Sequence, residues 1–335
     1  YRPLENDTAA ETLAWVEQER ALTEDYLSKI PFRGALRQRI SDFNNYVKQG
    51  APFLGADGRY YFFRNDGLKN QSVLYRSDKP VGGKEEVFLD PNSLSDDGTV
   101  ALTGTSMSND GRYMAYTISR SGSDWTEIYV LDTETGRLLD DHIEWAKFTD
   151  AAWWKDGFFY SAYDRPVAGK EFSNANENHR IYYHKLGTPQ SSDVLAFEDK
   201  EHPLHFHTAY VPENERSLFV FVGGQGFGEG MMVKDLTRPD AKWVVMEPSQ
   251  DYSNSVVDVI GDDVYILTSA DAQRIRLAMA PLSTPVRANW QIVVPEQEGV
   301  LTGVSRSGND LILTYEKDAS VYPAVYSHDG YKIRD

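Results

Sequence analysis

Two patterns of apolar positions divide the chain. Up to about residue 45 they recur every three to four residues, at Leu13, Val16, Leu22, Tyr26 and Leu27, then at Leu36, Ile40 and Phe43. That spacing predicts two amphipathic helices. Asp7 or Thr8 is placed to cap the first helix, and Pro31 ends it. The apolar stripe needs a cover, which either the rest of this chain or another domain can supply.

After Gly50 the period shortens. Apolar or alternating runs recur at Tyr60-Tyr61-Phe62-Phe63, Tyr113-Met114-Ala115-Tyr116, Phe158-Phe159-Tyr160, Leu218-Phe219-Val220-Phe221, Val264-Tyr265-Ile266-Leu267 and Leu311-Ile312-Leu313. Turn formers flank them: Asp57-Gly58, Asp110-Gly111, Asp156-Gly157, Asn214-Glu215, Gly261-Asp262 and Gly308-Asn309. Most units show a further strand pair, such as Glu127–Asp132 and Arg137–Leu139 around Thr135-Gly136. A repeat of about 47 residues with several strands each is the pattern of propeller blades. Stacked sandwiches are the rival all-β reading, but no Pro/Ser linker separates the units. The expectation is therefore an all-β propeller over residues 46–335, with about six blades, preceded by a helical arm over residues 1–45.

Charge narrows the partners. With 34 Lys and Arg against 51 Asp and Glu, the formal net charge is −17. This argues against nucleic acid and against an anionic membrane surface. No run of 18 apolar residues is present to span a bilayer. Zero cysteines exclude a disulfide scaffold, a thiolate zinc site and a Cys nucleophile. The chain begins at Tyr1 rather than Met, so an upstream segment removed by processing or by the choice of the piece expressed is expected. The compartment reads as periplasmic or cytoplasmic, and that removed segment together with the lack of Cys favours the former.

Few residues suggest chemistry. Gly303-Val304-Ser305-Arg306-Ser307 and Gly104-Thr105-Ser106-Met107-Ser108 each miss the last Gly of a G-x-S-x-G elbow. The run from Gly223 to Gly230 has neither phosphate-loop spacing and leads into another strand, so it reads as an inter-strand loop. Adjacent acids such as Asp96-Asp97, Asp140-Asp141 and Asp262-Asp263 are turn formers, although propellers can host glycan chemistry on paired carboxylates. His202, His205 and His207 lie within six residues, and in an extended strand the last two would share a face. No H-E-x-x-H supports them. The reading assigns no metal and no cofactor, and takes the histidines as a polar loop entering a strand.

Longer strings carry a resemblance. Phe-Phe-Arg-Asn-Asp-Gly-Leu-Lys-Asn-Gln-Ser-Val-Leu-Tyr at 62–75 and Val-Phe-Leu-Asp-Pro-Asn-Ser-Leu-Ser-Asp-Asp-Gly-Thr-Val-Ala-Leu at 87–102 resemble the first blade of prolyl oligopeptidases. Ser121-Gly122-Ser123-Asp124-Trp125 and Tyr182-Tyr183-His184-Lys185-Leu186-Gly187-Thr188 are similar to the same family. The likeness spans essentially the whole chain and is strongest over residues 60–190. It implies a seven-bladed propeller attached to an α/β-hydrolase domain that bears a Ser-Asp-His triad and cleaves short peptides after proline. The helical arm would pack on that hydrolase domain. The arm departs from the family pattern, with Pro3-Leu4-Glu5 in place of Trp-Leu-Glu. The seventh blade, the G-G-S-N-G-G nucleophile motif and the triad are absent from these 335 residues.

The resemblance implies a gating role, with the chain inactive by itself. It assigns Asp124, with Trp125 beside it, to an acid that pairs with a substrate-orienting Arg of the hydrolase domain. It assigns Phe159 to a pocket-lining aromatic and Phe206 to an apolar pocket position. A Cys that some members carry aligns with about Gly226, so that feature is lost. Without the resemblance, Asp124 reads as a hairpin-turn acid and Phe159 as filling between blades. The alternative function is a stand-alone propeller acting as a protein-interaction scaffold. Strand edges left open by a missing blade make self-association a further expectation.

Overall fold

The computed structural model describes residues 2–6, 8–167, 171, 175–224 and 226–335. By internal contacts the chain divides into two compact units. One is Tyr1–Ala101 with Pro166–Ala175, and the other is Leu102–Arg165 with Asn176–Asp335.

In the first unit, helix α1 spans Ala10–Ser28 and helix α2 spans Arg33–Asn44. Pro31 sits between them, where it cannot continue α1 and biases the preceding residue away from helix. The capping expectation is corrected. The N-cap is Ala9, which has no side chain to cap with. Asp7 lies outside the described residues, and the Thr8 hydroxyl donates instead to Asn6 Oδ1 at 3.0 Å. Leu13, Val16, Leu22, Tyr26, Leu36, Ile40 and Phe43 are all exposed. Among the described residues no helix is long and apolar enough to cross a membrane.

The arm is followed by a sheet built on Tyr60–Asn65, Val73–Ser77 and Glu85–Leu89, with the short strands Lys48–Gln49 and Phe53–Leu54 both paired to its first long strand. Phe62, Val73 and Tyr75 form its small core.

The second unit is a series of four-stranded antiparallel meanders. The second sheet of the chain runs Val100–Met107, Tyr113–Arg120, Thr126–Asp132, Leu138–Ala146. The third runs Ala152–Trp154, Gly157–Ala162, Arg180–Lys185, Val194–Glu198, and is joined to the second through the pair Ala162 and Ala146. The fourth runs Phe206–Tyr210, Ser217–Gly223, Gly230–Asp235, Val244–Glu247. The fifth runs Asn254–Ile260, Asp263–Thr268, Arg276–Pro281, Gln291–Val294, and the sixth Val300–Ser307, Asp310–Lys317, Ser320–Ser327, Lys332–Arg334.

The continuous apolar runs now have a cause. Side chains alternate across a strand, so a strand buried on both faces serves two cores. Phe158 and Tyr160 pack against Ile128, Val130 and Ile143 of the second sheet. Phe159, between them in sequence, packs with Leu218 and Val220 of the fourth. Phe219 then joins Val264 and Ile266 of the fifth, and Tyr265 joins Leu311 and Leu313 of the sixth. From the second sheet to the sixth, each thus covers the next, and over these sheets the blade period of the sequence is the period of the stacking.

One turn differs from expectation. At Lys155-Asp156 the left-handed residue is Lys155, with φ 50°, and not Gly157. Gly157 is required for another reason. A Cβ there would overlap the carbonyl oxygen of His184 on the paired strand. The run from Gly223 to Gly230 lies between the consecutive strands Ser217–Gly223 and Gly230–Asp235, and its described residues form no helix.

Candidate functional site

The strand Leu138–Ala146 departs from regular geometry at its end. Trp145 has φ 60° and Phe148 has φ 51°, a left-handed backbone on either side of Ala146-Lys147 that non-glycine residues adopt only at a cost. The alternation breaks there, and Lys147 is buried. Its side chain is 7% exposed, with Nζ 4.8 Å from the Trp125 ring centroid and 5.3 Å from that of Phe148. Its ion-pair partner is Asp124, 3.7 Å away, whose side chain is 72% exposed. A desolvated ammonium against two ring faces is favourable because the face carries the negative end of the ring quadrupole.

Aromatic rings extend this group. Trp125 meets Trp145 edge to face at 5.5 Å and Tyr163 at 6.2 Å. Tyr163 lies 4.4 Å from the His179 ring. Phe148 bridges His179 at 6.4 Å and Phe206 at 5.9 Å. Asp124, Trp125 and Phe206 are therefore brought into one cluster, with Lys147 and Phe148 between them. Phe159 is not part of it. It is buried between the third and fourth sheets, 5.0 Å from Tyr183 and 5.8 Å from Trp154.

Two histidines floor the cluster. His179 Nε2 bonds the Lys147 carbonyl at 3.0 Å, and its Nδ1 accepts from the His207 backbone N–H at 2.8 Å. His207 Nδ1 returns a bond to the His179 carbonyl at 2.9 Å. Burial pushes His179 down to about 4 and His207 down as well, so both are neutral bases near pH 7. His205 and His207 do not act as a same-face pair of one strand. His205 precedes the strand Phe206–Tyr210 rather than sitting in it, and His207 commits its Nδ1 to His179.

A second buried polar group lies under the third sheet. His184, fully buried, bonds Asp193 through Nδ1 at 2.8 Å and Asp141 through Nε2 at 3.0 Å. Burial opposes charge on this ring, but the two carboxylates outweigh it and raise its pKa. Tyr160 donates to the other oxygen of Asp193 at 2.7 Å. Both ring nitrogens are bonded and the ring is fully buried, so the group ties strands together.

Lys147, Trp145, Phe148, Tyr163 and His179 escaped the sequence reading. The one signal was the string Trp145-Ala146-Lys147-Phe148, a Lys among aromatics at a strand end. Nothing in it announces the left-handed backbone that buries the Lys.

Residues 1–331 match the family model described as the prolyl oligopeptidase N-terminal β-propeller domain. A prolyl endopeptidase of Elizabethkingia meningoseptica is 40% identical over all of this chain, which covers 47% of that protein. One from Elizabethkingia miricola is 39% identical, with the same coverage. The chain spans about half the length of the curated relatives it matches. Among solved structures, prolyl oligopeptidase B from Galerina marginata, bound to a 35-residue hydrolysis and macrocyclisation substrate, superposes with a TM-score of 0.87 at 26% identity. That match covers 99% of this chain and 49% of the other.

Proposed function

The chain belongs to the prolyl oligopeptidase N-terminal β-propeller family, and we propose that it is the substrate-selecting, non-catalytic part of a serine endopeptidase that cleaves short peptides after proline. The nucleophilic Ser, its His base and the orienting Asp would lie in an α/β-hydrolase domain of the same protein, outside these residues. The exposed apolar faces of α1 and α2 support docking of the arm on that domain.

The observation that carries the reading is the Asp124–Lys147 pair. A buried ammonium sits behind an exposed carboxylate, so Asp124 is held in place while its oxygens stay open to an outside cation. An Arg of the hydrolase domain that orients substrate is the cation expected by family likeness. The Trp125, Phe148 and Phe206 rings beside it offer apolar faces to a proline-containing peptide.

The reading is tested at two levels. The purified 335-residue chain is assayed with a proline-specific chromogenic peptide, and no turnover is expected. Turnover that survives repurification and yields to a serine-directed inhibitor overturns the non-catalytic role. In the protein that carries both domains, Asp124→Asn is expected to lower kcat/KM about tenfold with unchanged thermal stability. Unchanged kinetics reduce Asp124 to a turn residue. A reading frame that stops at Asp335 favours the scaffold alternative.

A further inference from the structure

We propose that Asp199, His202 and His205 form a binding site for a borderline divalent cation of the zinc class. The three residues lie in the connection between the strands Val194–Glu198 and Phe206–Tyr210, which leads from the third sheet to the fourth. Among the described residues they are the one group of three His or acidic side chains placed to share an ion, with their ligand atoms all within 4.8 Å of one another.

The local backbone builds the site. Asp199 Oδ1 accepts the N–H of Glu201 at 3.0 Å and of His202 at 3.2 Å, which fixes the carboxylate and leaves Oδ2 turned to the imidazoles. Oδ2 lies 2.9 Å from His202 Nδ1 and 3.5 Å from His205 Nδ1. The His205 N–H donates to the His202 carbonyl at 3.0 Å, and this turn stacks the two rings 4.6 Å apart, 10° from parallel. Metal–nitrogen and metal–oxygen bonds of about 2.0–2.1 Å in a tetrahedral zinc site put neighbouring ligand atoms about 3.3 Å apart. The two observed separations straddle that value.

A second observation points to a ligand. The His205 side chain is 8% exposed, yet its Nδ1 has no hydrogen-bond partner. A buried ring nitrogen without a partner is costly, and it is aimed at Asp199 and His202. The opposite nitrogen, Nε2, lies 3.2 Å from the Gln250 side-chain nitrogen. The two ends of an amide are interchangeable by a half-turn. With its oxygen toward the ring, Gln250 accepts Nε2–H and leaves Nδ1 free for the ion, the usual outer support of a ligating His.

The glycine-rich run supplies the backing. A Cβ on Gly224 would crowd the Leu204 carbonyl and the His205 Cα, and Gly226 lies against the Gln250 carbonyl. His202 is exposed, so a water has access as the fourth ligand. Two imidazoles and one carboxylate suit zinc rather than calcium or magnesium, which take oxygen donors. The ion would pin the crossing between two sheets.

Zinc is titrated calorimetrically into the purified, chelator-treated protein at pH 7.5. One equivalent is expected to bind with micromolar or tighter affinity and to raise Tm, while magnesium and calcium give no heat. Asp199→Asn and His202→Ala should each weaken zinc binding at least tenfold, and His142→Gln should leave it unchanged. Because His202 is exposed, its variant should melt at the temperature of the parent protein when chelator is present in both. If it does not, His202→Asn repeats the test. No zinc binding by the parent, or parental affinity in both site variants, overturns the proposal.

Discussion

The ammonium of Lys147 and the carboxylate of Asp124 lie 3.7 Å apart, one buried and one open to solvent. The pair is therefore asymmetric in what each member holds up. Lys147→Ala leaves a cavity among Trp125, Phe148 and the backbone, and a loss of about 2 kcal/mol is expected in denaturant unfolding. Asp124→Asn should change stability by no more than about 0.5 kcal/mol, as for other exposed positions. Equal losses from both would show the ion pair, rather than the ring contacts, to be the source of stability.

His184 is held by carboxylates on both sides, so removing one leaves charge buried without its partner. Asp193→Asn is expected to cost about 3–5 kcal/mol by urea denaturation. The His184 pKa is raised, so the stability this ring contributes is full below about pH 6.5 and is lost as pH rises through the folded value. In Asp193→Asn that alkaline loss should shrink to the part that Asp141 sustains.

His179 has the opposite sign. Burial holds it neutral down to about pH 4, while the unfolded chain takes the proton near 6.5. Stability from this group is complete above pH 6.5 and falls by about 3 kcal/mol as pH drops to 4. His207, shifted the same way by burial, adds to that slope. The urea midpoint measured against pH should fall across this window, and His179→Gln should flatten it. An unchanged slope would assign it to other groups.

Glu127 accepts from Arg120 Nε at 2.5 Å and Tyr129 at 2.6 Å, with His142 Nε2 at 2.9 Å. Burial alone would raise its pKa, but these partners outweigh it and hold the carboxyl at about 2. Its contribution is present above the unfolded value near 4.3 and is lost as pH falls toward 2. Glu127→Gln should cost about 1–3 kcal/mol at pH 7 and much less at pH 2, read by thermal unfolding.

Gly157→Ala tests the close strand approach. Its Cβ would overlap the His184 carbonyl oxygen, and backbone on a paired strand cannot swing aside. A loss above about 2 kcal/mol is expected. A neutral result would show that the third sheet can open locally.

Much of this architecture was determined by the sequence itself. Strand runs such as Phe158-Phe159-Tyr160 and turns such as Thr135-Gly136 are local, and a period of two or of 3.6 is imposed by neighbours a few bonds away. The two helices and six strand groups are therefore legible, and the long strings at 62–75 and 87–102 carry the family. The tertiary structure alone decided which face each aromatic serves. Phe158 and Phe159 are adjacent in sequence but pack against different sheets. It alone buried Lys147, because a left-handed turn at Trp145 and Phe148 leaves no compositional trace. It also tied His207 to His179, a residue 28 positions away, since a ring nitrogen's partner depends on chain segments far apart in sequence. Periodicity is a property of the strand, whereas burial, protonation and metal geometry depend on what folds against it.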